Sequence, residues 1–169
     1  AKKHLCARGF LETINWSFTD KTSALEFSEN QQHLVHLQNP ITEDFSVMRP
    51  SLLISCLKVA QFNTANARSN GAIFEIAPIY GAHLQHNQTT SIAGLRFGNS
   101  QDRHWLSGPP RNVDVFDAKA DALSTLKILG VAESSMQLTI DGPSYYHPGR
   151  KGTFKQGNRV LAYFGELHP

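Results

Sequence analysis

Two His-x-x-His pairs, His33 with His36 and His83 with His86, most directly suggest metal chemistry in this chain. Zinc is held in structural sites by four ligands, mostly cysteine, histidine and carboxylate groups. Residues three apart on a strand face opposite sides, and neither pair has a cysteine or an acidic cluster close enough in sequence to complete such a set. We therefore predict hydrogen-bonded or solvated histidines and no bound metal.

Motifs for phosphate binding and for nucleophilic catalysis are absent from the sequence. The glycine loops G-x-G-x-x-G and G-x-x-x-x-G-K-[ST] do not occur, and neither does the serine motif G-x-S-x-G. Cys6 and Cys56 lie in helical apolar patterns and have no local acid–base signature, so we expect both thiols to be buried and reduced. Reduced thiols favour a cytoplasmic protein. The sequence thus predicts no catalytic, cofactor-binding or metal-binding residue.

Three aspartates, Asp114, Asp117 and Asp121, form an acidic cluster near the start of a predicted helix. Negative charge in the first turns of a helix is favoured by the free N–H groups and by the helix dipole. We therefore interpret this cluster as helix capping.

The most concentrated basic stretch is His147-Pro148-Gly149-Arg150, with Lys151 and Lys155 close behind. It is either a solvated turn leading into a strand or a contact for RNA or a partner protein. The formal net charge is only +2, so no strong basic field supports RNA binding by itself. Arg49, His147 and Arg150 are retained as candidate partner or RNA contacts.

The residues from 39 to 68 join a predicted strand to an amphipathic helix. Residues 33–37 (HLVHL) alternate polar and apolar types, and Asn39-Pro40 ends that strand because proline lacks the donor N–H. Pro50 suits the first turn of a helix, with Arg49 or Ser51 at its cap. Apolar residues then recur every three or four positions, which predicts one buried face: Leu52, Leu53, Cys56, Leu57 and Ala60.

A second alternation marks residues 12–18 (ETINWSF). Ile14, Trp16 and Phe18 share one parity along this segment, so we predict a strand with these three side chains in the core.

The later segments predict a hairpin, a helix and further strands. Residues 72–80 and 91–97 are apolar runs typical of neighbouring strands, and residues 113–129 have helical spacing ended by Gly130. Short strands are predicted near residues 136–140, 152–155 and 160–164. The expected fold class is α+β, a largely antiparallel sheet flanked by helices.

Composition predicts a single globular domain over residues 1–169, with 40% hydrophobic and 18% charged residues. No apolar run approaches the ~20 residues that span a bilayer, so we expect no membrane partner. The opening AKKHLCARGF lacks a signal-peptide pattern. The absent initiator methionine, and an ending directly after an apolar strand, lead us to expect a piece of a longer chain.

Several short motifs, taken in order and spacing, resemble the beta subunits of bacterial phenylalanine–tRNA ligases. The likeness covers essentially all 169 residues. The motifs are Asn39-Pro40 with Met48-Arg49-Pro50-Ser51-Leu52-Leu53, then Phe74-Glu75-Ile76, then Val113-Asp114 with Phe116-Asp117 and Lys119, then His147-Pro148-Gly149-Arg150, and finally Gly165-Glu166-Leu167-His168-Pro169.

This resemblance implies a catalytic-like module with the fold of class II aminoacyl-tRNA synthetases but without their chemistry. The working active site would belong to the alpha subunit, against which this module packs in an alpha2-beta2 tetramer. The whole enzyme would use ATP and Mg²⁺ and bind tRNA in the cytoplasm. The resemblance also implies that the magnesium ligands and the editing and anticodon-contacting parts of the beta subunit lie outside these residues.

The resemblance also indicates where catalysis is lost. Class II sites commonly hold ATP phosphates with the arginine of an F-R-x-E strand motif, because the developing charge must be stabilised. Placing Glu75 on that glutamate puts Ile73 where the arginine would be, and no later G-x-G-x-x-R motif occurs. We predict that these residues alone do not activate phenylalanine. Ala77-Pro78 and Ala120 depart from the commoner Gly-Arg and Gly of the family pattern.

Two other functions remain as alternatives. One is an unrelated enzyme that uses His147 and Arg150 on an acidic small molecule, although no convergent acid–base set supports it. The other is a stand-alone RNA-binding module, against which the small net charge counts.

Overall fold

The computed structural model describes residues 1–28, 33–81, 88–100, 105–106 and 108–168. The chain divides into two compact units. Unit 1 contains Ala1–Gly9, Ser69–Gly71 and Arg96–Pro169, and unit 2 contains Phe10–Arg68 and Ala72–Leu95. The expectation of a single domain over residues 1–169 stays a prediction.

The described residues form an α+β fold, as expected. The helices are α1 (Lys2–Ala7), α2 (Lys21–Glu26), α3 (Leu53–Ala65) and α4 (Val115–Ile128). The strands are β1 (Leu11–Glu12), β2 (Phe18–Thr19), β3 (Val47–Met48), β4 (Gly71–Tyr80), β5 (Gln88–Phe97), β6 (Gln137–Thr139), β7 (Tyr146–Gln156) and β8 (Arg159–Leu167). No helix among the described residues is long and apolar enough to cross a membrane.

Unit 2 is built on a sheet with strand order β1-β4-β5. Strand β1 runs parallel to β4, with Leu11 opposite Ile73. The ring of Phe10 packs edge-on against that of Phe74, with centroids 6.5 Å apart. Since Phe74 is fully buried, this contact lies in the core of the unit.

Two strands predicted in unit 2 are shorter than expected. Residues 12–18 do not form one strand but contribute to β1 and β2, and β2 pairs antiparallel with β3. Residues 33–37 form only an isolated bridge, His36 with Val47. The Leu37 N–H still donates to the Ser46 carbonyl at 3.0 Å, so the segment lies against the start of β3 without continuing as a strand.

Helix α3 carries the buried apolar face that its spacing predicts. Leu53, Ile54, Cys56 and Ala60 are buried. The helix begins at Leu53 rather than at Pro50, and the Ser51 hydroxyl accepts a hydrogen bond from the Leu53 N–H at 3.2 Å.

In unit 1 an antiparallel sheet of order β6-β7-β8 packs against α4. The core is formed by Leu126 of α4 with Phe154 and Phe164 of the sheet, whose ring centroids lie 5.2 Å apart. Gly130 follows the helix with φ +90°, a conformation that favours glycine and explains why the helix stops there as predicted.

Candidate functional site

Arg49 lies inside unit 2 and not on its surface. The residue is 1% exposed, and its Nη1 lies 2.8 Å from Oε1 of Glu75, which is also buried. The guanidinium also donates to the carbonyl oxygens of Trp16 and Pro78 and to the Ser55 hydroxyl, each at 3.3 Å. The predictions that Arg49 caps α3 or contacts a partner or RNA are therefore wrong, because its charge is already satisfied in the interior.

The carboxylate of Glu75 has a second partner besides Arg49. Its Oε2 accepts a hydrogen bond from the Asn15 side-chain amide at 2.8 Å, and its Oε1 accepts from the Asn15 N–H at 3.4 Å. A buried charge is costly unless it is paired and hydrogen-bonded. Asn15, Glu75 and Arg49 thus form one buried network, in which each charge meets an opposite charge or a dipole.

Strand β4 presents no cation at the position to which the resemblance assigns a phosphate-binding arginine. Ile73 is 5% exposed and lies opposite Leu11 in the sheet. Glu75 is the only charged residue in the strand sequence GAIFEIAPIY, and its charge is neutralised by Arg49. Neither Ile73 nor Glu75 therefore has a free charge with which to bind nucleotide phosphates or stabilise charge in a reaction.

The segment of residues 13–17 has a polar inner side. The Thr13 N–H donates to the Phe74 carbonyl at 2.8 Å, and the Thr13 hydroxyl donates to the same oxygen at 3.2 Å. Asn15 reaches inward to Glu75 and also donates to the Thr13 hydroxyl. Because alternate residues point to opposite sides, Ile14 and Trp16 point outward.

The prediction that Ile14, Trp16 and Phe18 face the core is accordingly wrong, although the three do share a parity. Ile14 is 93% exposed, Trp16 72% and Phe18 37%. The Trp16 ring lies against that of Phe45, with centroids 6.4 Å apart and planes tilted by 53°. We call Ile14, Trp16, Phe18 and Phe45 the outer row; these four exposed apolar residues include three aromatic side chains.

The basic stretch lies in unit 1, where β7 departs from regular pairing with β8 between Tyr146 and Lys151. Arg150 forms an ion pair with Glu166 at 3.0 Å. The His147 Nδ1 accepts the Gly149 N–H at 3.1 Å, and the His147 ring stacks on that of His168 at 6.1 Å. The structure thus brings His147 and Arg150 together in one bulge, and their contact with a partner or RNA stays a prediction.

Two members of the acidic cluster, Asp114 and Asp117, have the capping role that their position predicts. Asp114 accepts from the N–H groups of Phe116 and Asp117, and the Asp117 side chain accepts from the Asp114 N–H, which completes a capping box. The hydrogen bond from Arg111 lowers the pKa of Asp117 below its usual value, although partial burial opposes the shift.

Asp121 has a different role, which its position in the helix did not indicate. It is 8% exposed and accepts hydrogen bonds from both Arg8 and Arg96, with Arg8 Nη2 at 2.6 Å. This carboxylate therefore ties α4 to the end of α1 and to Arg96, all within unit 1.

The cysteines differ in environment. Cys56 is buried as expected, and desolvation raises the pKa of its thiol to about 12. Cys6 is exposed, so the expectation of burial is wrong for that residue.

Within the described ranges no three histidine, cysteine or acidic side chains converge so that they could hold a metal ion. His83 and His86 lie outside those ranges. The prediction of no metal in the chain therefore stays a prediction.

The whole chain is similar to one known family. Residues 1–169 match the family described as the phenylalanyl tRNA synthetase beta chain CLM domain. The chain is 39% identical over 168 residues to the phenylalanine–tRNA ligase beta subunit of Paramagnetospirillum magneticum, covering 99% of this chain and 21% of that protein. It is 42% identical over 170 residues to the same subunit of Bartonella henselae, covering 98% of this chain and 21% of that protein. The chain thus spans about a fifth of the length of these curated relatives.

Solved structures show the same fold at low sequence identity. The pyrrolysyl tRNA synthetase of Desulfitobacterium hafniense aligns with a TM-score of 0.67 and 15% identity, covering 96% of this chain and 52% of that one. A second structure of that synthetase gives the same TM-score at 16% identity, covering 99% and 56%. The fold is therefore that of a class II aminoacyl-tRNA synthetase, as the resemblance implied. By its match over the full sequence, this chain belongs to the family of phenylalanyl-tRNA synthetase beta chain CLM domains.

Proposed function

We propose that this chain is a non-catalytic scaffold module of a cytoplasmic phenylalanine–tRNA ligase. The whole ligase attaches phenylalanine to its tRNA with ATP and Mg²⁺. Its catalytic site belongs to the alpha subunit, against which this module packs in an alpha2-beta2 assembly. The chain itself supplies no catalytic residue, cofactor ligand or metal ligand to the reaction.

The observation that supports this proposal is that β4 has no free charge. Activation of an amino acid by ATP develops negative charge on phosphate oxygens, and enzymes stabilise that charge with preorganised cations. In β4 a buried isoleucine, Ile73, occupies the position to which the resemblance assigns such a cation. Glu75 forms a buried ion pair with Arg49. Its charge therefore stabilises the fold and takes no part in a reaction.

Co-purification with the alpha subunit tests the scaffold role. A tagged beta chain carrying these residues, co-expressed with the alpha subunit of the same organism, is expected to recover it in a one-to-one ratio. Recovery of the beta chain without any alpha subunit, although the beta chain is folded by circular dichroism, would reject the proposal.

The two alternatives have less support. A small-molecule enzyme using His147 and Arg150 needs a free cation and a base, but Arg150 is paired with Glu166 and His147 Nδ1 accepts the Gly149 N–H. The same ion pair reduces the positive charge available to RNA. Tight, salt-sensitive binding of tRNA by the beta chain without the alpha subunit would favour the RNA-binding module.

A further inference from the structure

We propose that the bulge of β7, residues 147–150, binds a backbone phosphate of the tRNA on which the ligase acts, with Arg150 and His147 as the donors. This inference rests on the proposed function, since it names one contact by which the scaffold module would hold that tRNA. The bulge and the end of β8 beside it belong to unit 1, and the scaffold role described above gives them no task.

The bulge is a built feature of the β7–β8 hairpin. Tyr146 pairs with Leu167, and the next paired position is Lys151 with Gly165. Four residues of β7 therefore lie opposite a single residue of β8. A Cβ atom on Gly165 would lie 2.9 Å from the Arg150 carbonyl oxygen, so glycine at this position lets the bulge lie directly against β8. Bulges re-aim side chains and occur frequently beside functional sites.

Arg150 presents part of its guanidinium to the outside. Its Nε lies 3.0 Å from Oε2 of Glu166, and the Arg150 side chain is 50% exposed. Among the described residues, none binds either of its two Nη groups. The ion pair thus orients the guanidinium by one edge and leaves the Nη groups for an outside ligand. A guanidinium is a planar fork of donors that matches two oxygens of one phosphate.

His147 supplies a second donor in the same bulge. Its Nδ1 accepts the Gly149 N–H at 3.1 Å, so the proton of the neutral ring is on Nε2, which can donate a hydrogen bond. The His147 ring stacks on that of His168 with planes inclined by 26°, and the His168 N–H donates to the Tyr145 carbonyl at 2.9 Å. The end of β8 therefore fixes the position of this donor.

The charge of this surface favours an anion. Residues 142–152 and 162–168 contain the cations Arg150 and Lys151 and one carboxylate, Glu166. Lys151 Nζ donates to the carbonyl oxygens of Gly142 and Pro143, which are neutral partners that leave its charge uncompensated. The formal charge of the two segments is therefore positive before any ligand binds.

The surroundings of the bulge favour RNA over an acidic protein. The structure describes every residue from 141 to 168, and in this range Val160, at the far end of the hairpin, is the only large hydrophobic residue that is exposed. Protein interfaces usually bury an apolar centre, whereas contacts to phosphate need only donors and positive charge. A single contact of this kind is compatible with the small net charge of the chain, because other parts of the ligase would supply the rest of the tRNA affinity.

Binding of tRNA to the assembled ligase tests the role of Arg150. Arg150→Gln in the beta chain is expected to weaken binding about tenfold at low salt, the effect of one charge-assisted contact. The slope of log Kd against log salt concentration should fall by about one, because one phosphate contact is removed. The matched control is Arg159→Gln, which removes the same charge from the exposed turn end of the hairpin and should change neither quantity.

The role of His147 has a separate readout. In His147→Asn the side-chain oxygen can still accept the Gly149 N–H, but the Nε2 donor is lost. Affinity for tRNA is expected to fall about fivefold, while amide hydrogen exchange in residues 147–150 stays the same. Unchanged affinity, or a loss of affinity accompanied by faster exchange in the bulge, would overturn the donor role of His147.

The nature of the ligand is tested with the same variants. Phosphates carry no sequence information, so Arg150→Gln should weaken cognate and non-cognate tRNA by the same factor. A loss confined to cognate tRNA would contradict a phosphate contact. A higher KM for ATP with unchanged tRNA affinity would assign the bulge to a free nucleotide, and weaker alpha–beta association would assign it to a protein carboxylate. Either result would overturn the tRNA contact.

Failure of this inference is distinguishable from failure of the proposed function. If the wild-type beta chain assembles with the alpha subunit and the Arg150→Gln ligase binds tRNA with wild-type affinity and salt slope, the contact is wrong while the proposed function stands. If the wild-type chain does not assemble with the alpha subunit, the proposed function itself fails.

Discussion

Nη1 of Arg49 and Oε1 of Glu75 lie 2.8 Å apart in the interior of unit 2, and both side chains are almost completely inaccessible to solvent. This ion pair joins the residue before Pro50 to the middle of β4, and through Asn15 it reaches the segment that carries the outer row. One buried network therefore connects β4, which lacks a free charge, to the segment that carries the exposed outer row.

Removing one member of this ion pair is expected to destabilise the protein strongly. Arg49→Met or Glu75→Leu leaves one buried charge without its partner, which costs about 3–5 kcal/mol in the free energy of unfolding. The double variant is expected to cost less than the sum of the two, with a coupling of about 1–3 kcal/mol. Chemical denaturation of all four proteins measures this cycle, and additive costs would show that the two side chains do not stabilise each other.

Asp121 is expected to contribute more to the free energy of unfolding than an ordinary surface carboxylate. Asp121→Asn removes the charge that Arg8 and Arg96 share and is expected to lower the free energy of unfolding by about 1–3 kcal/mol. The matched control is Lys127→Met, which removes a half-exposed ion pair with Glu133 and should cost less than about 1 kcal/mol. Equal effects of the two changes in urea unfolding would contradict the role of Asp121.

Asp141 is expected to contribute to the loss of folding stability at acid pH. Hydrogen bonds from Lys155 and Thr139 lower the pKa of this carboxyl to about 2. In the unfolded chain an aspartate has a pKa of about 3.9, so folding favours the ionised form of Asp141. This stabilisation is present above about pH 4 and is lost as the pH falls toward the pKa of the folded state. Asp141→Asn should therefore flatten the loss of stability in that window. An unchanged slope in denaturation midpoints would contradict the assignment.

Thiol reactivity should separate the two cysteines. Cys6 is exposed, whereas burial raises the pKa of Cys56 to about 12, so the Cys56 thiolate is scarce at neutral pH. Iodoacetamide is expected to modify one thiol of the native protein, and Cys6→Ser should abolish that reaction until denaturant is added. Rapid native modification of the Cys6→Ser variant would show that Cys56 is accessible.

The sequence predicted correctly those elements whose capping, apolar spacing and end signals lie within one short stretch of chain. Helix α4 was expected over residues 113–129 and is observed from Val115 to Ile128, because its capping residue, apolar spacing and terminal glycine all lie within the same stretch. The same local reasoning identified the capping role of Asp114 and Asp117.

The inverted face of residues 13–17 and the burial of Arg49 could not be predicted in this way. Both depend on Glu75, which is 60 residues beyond Asn15 and 26 beyond Arg49. The alternation showed that Ile14 and Trp16 share a side, but only the distant carboxylate decides which side is inside. A polar residue between two large apolar ones, as in Ile14-Asn15-Trp16, was the available signal for an inward polar contact.

The central claim, that this module supports the ligase without catalysing its reaction, is tested most directly by phenylalanine-dependent exchange of pyrophosphate into ATP. The purified beta chain is expected to give no exchange above background, and adding the alpha subunit should produce it. Phenylalanine-dependent exchange by the beta chain alone would contradict the account.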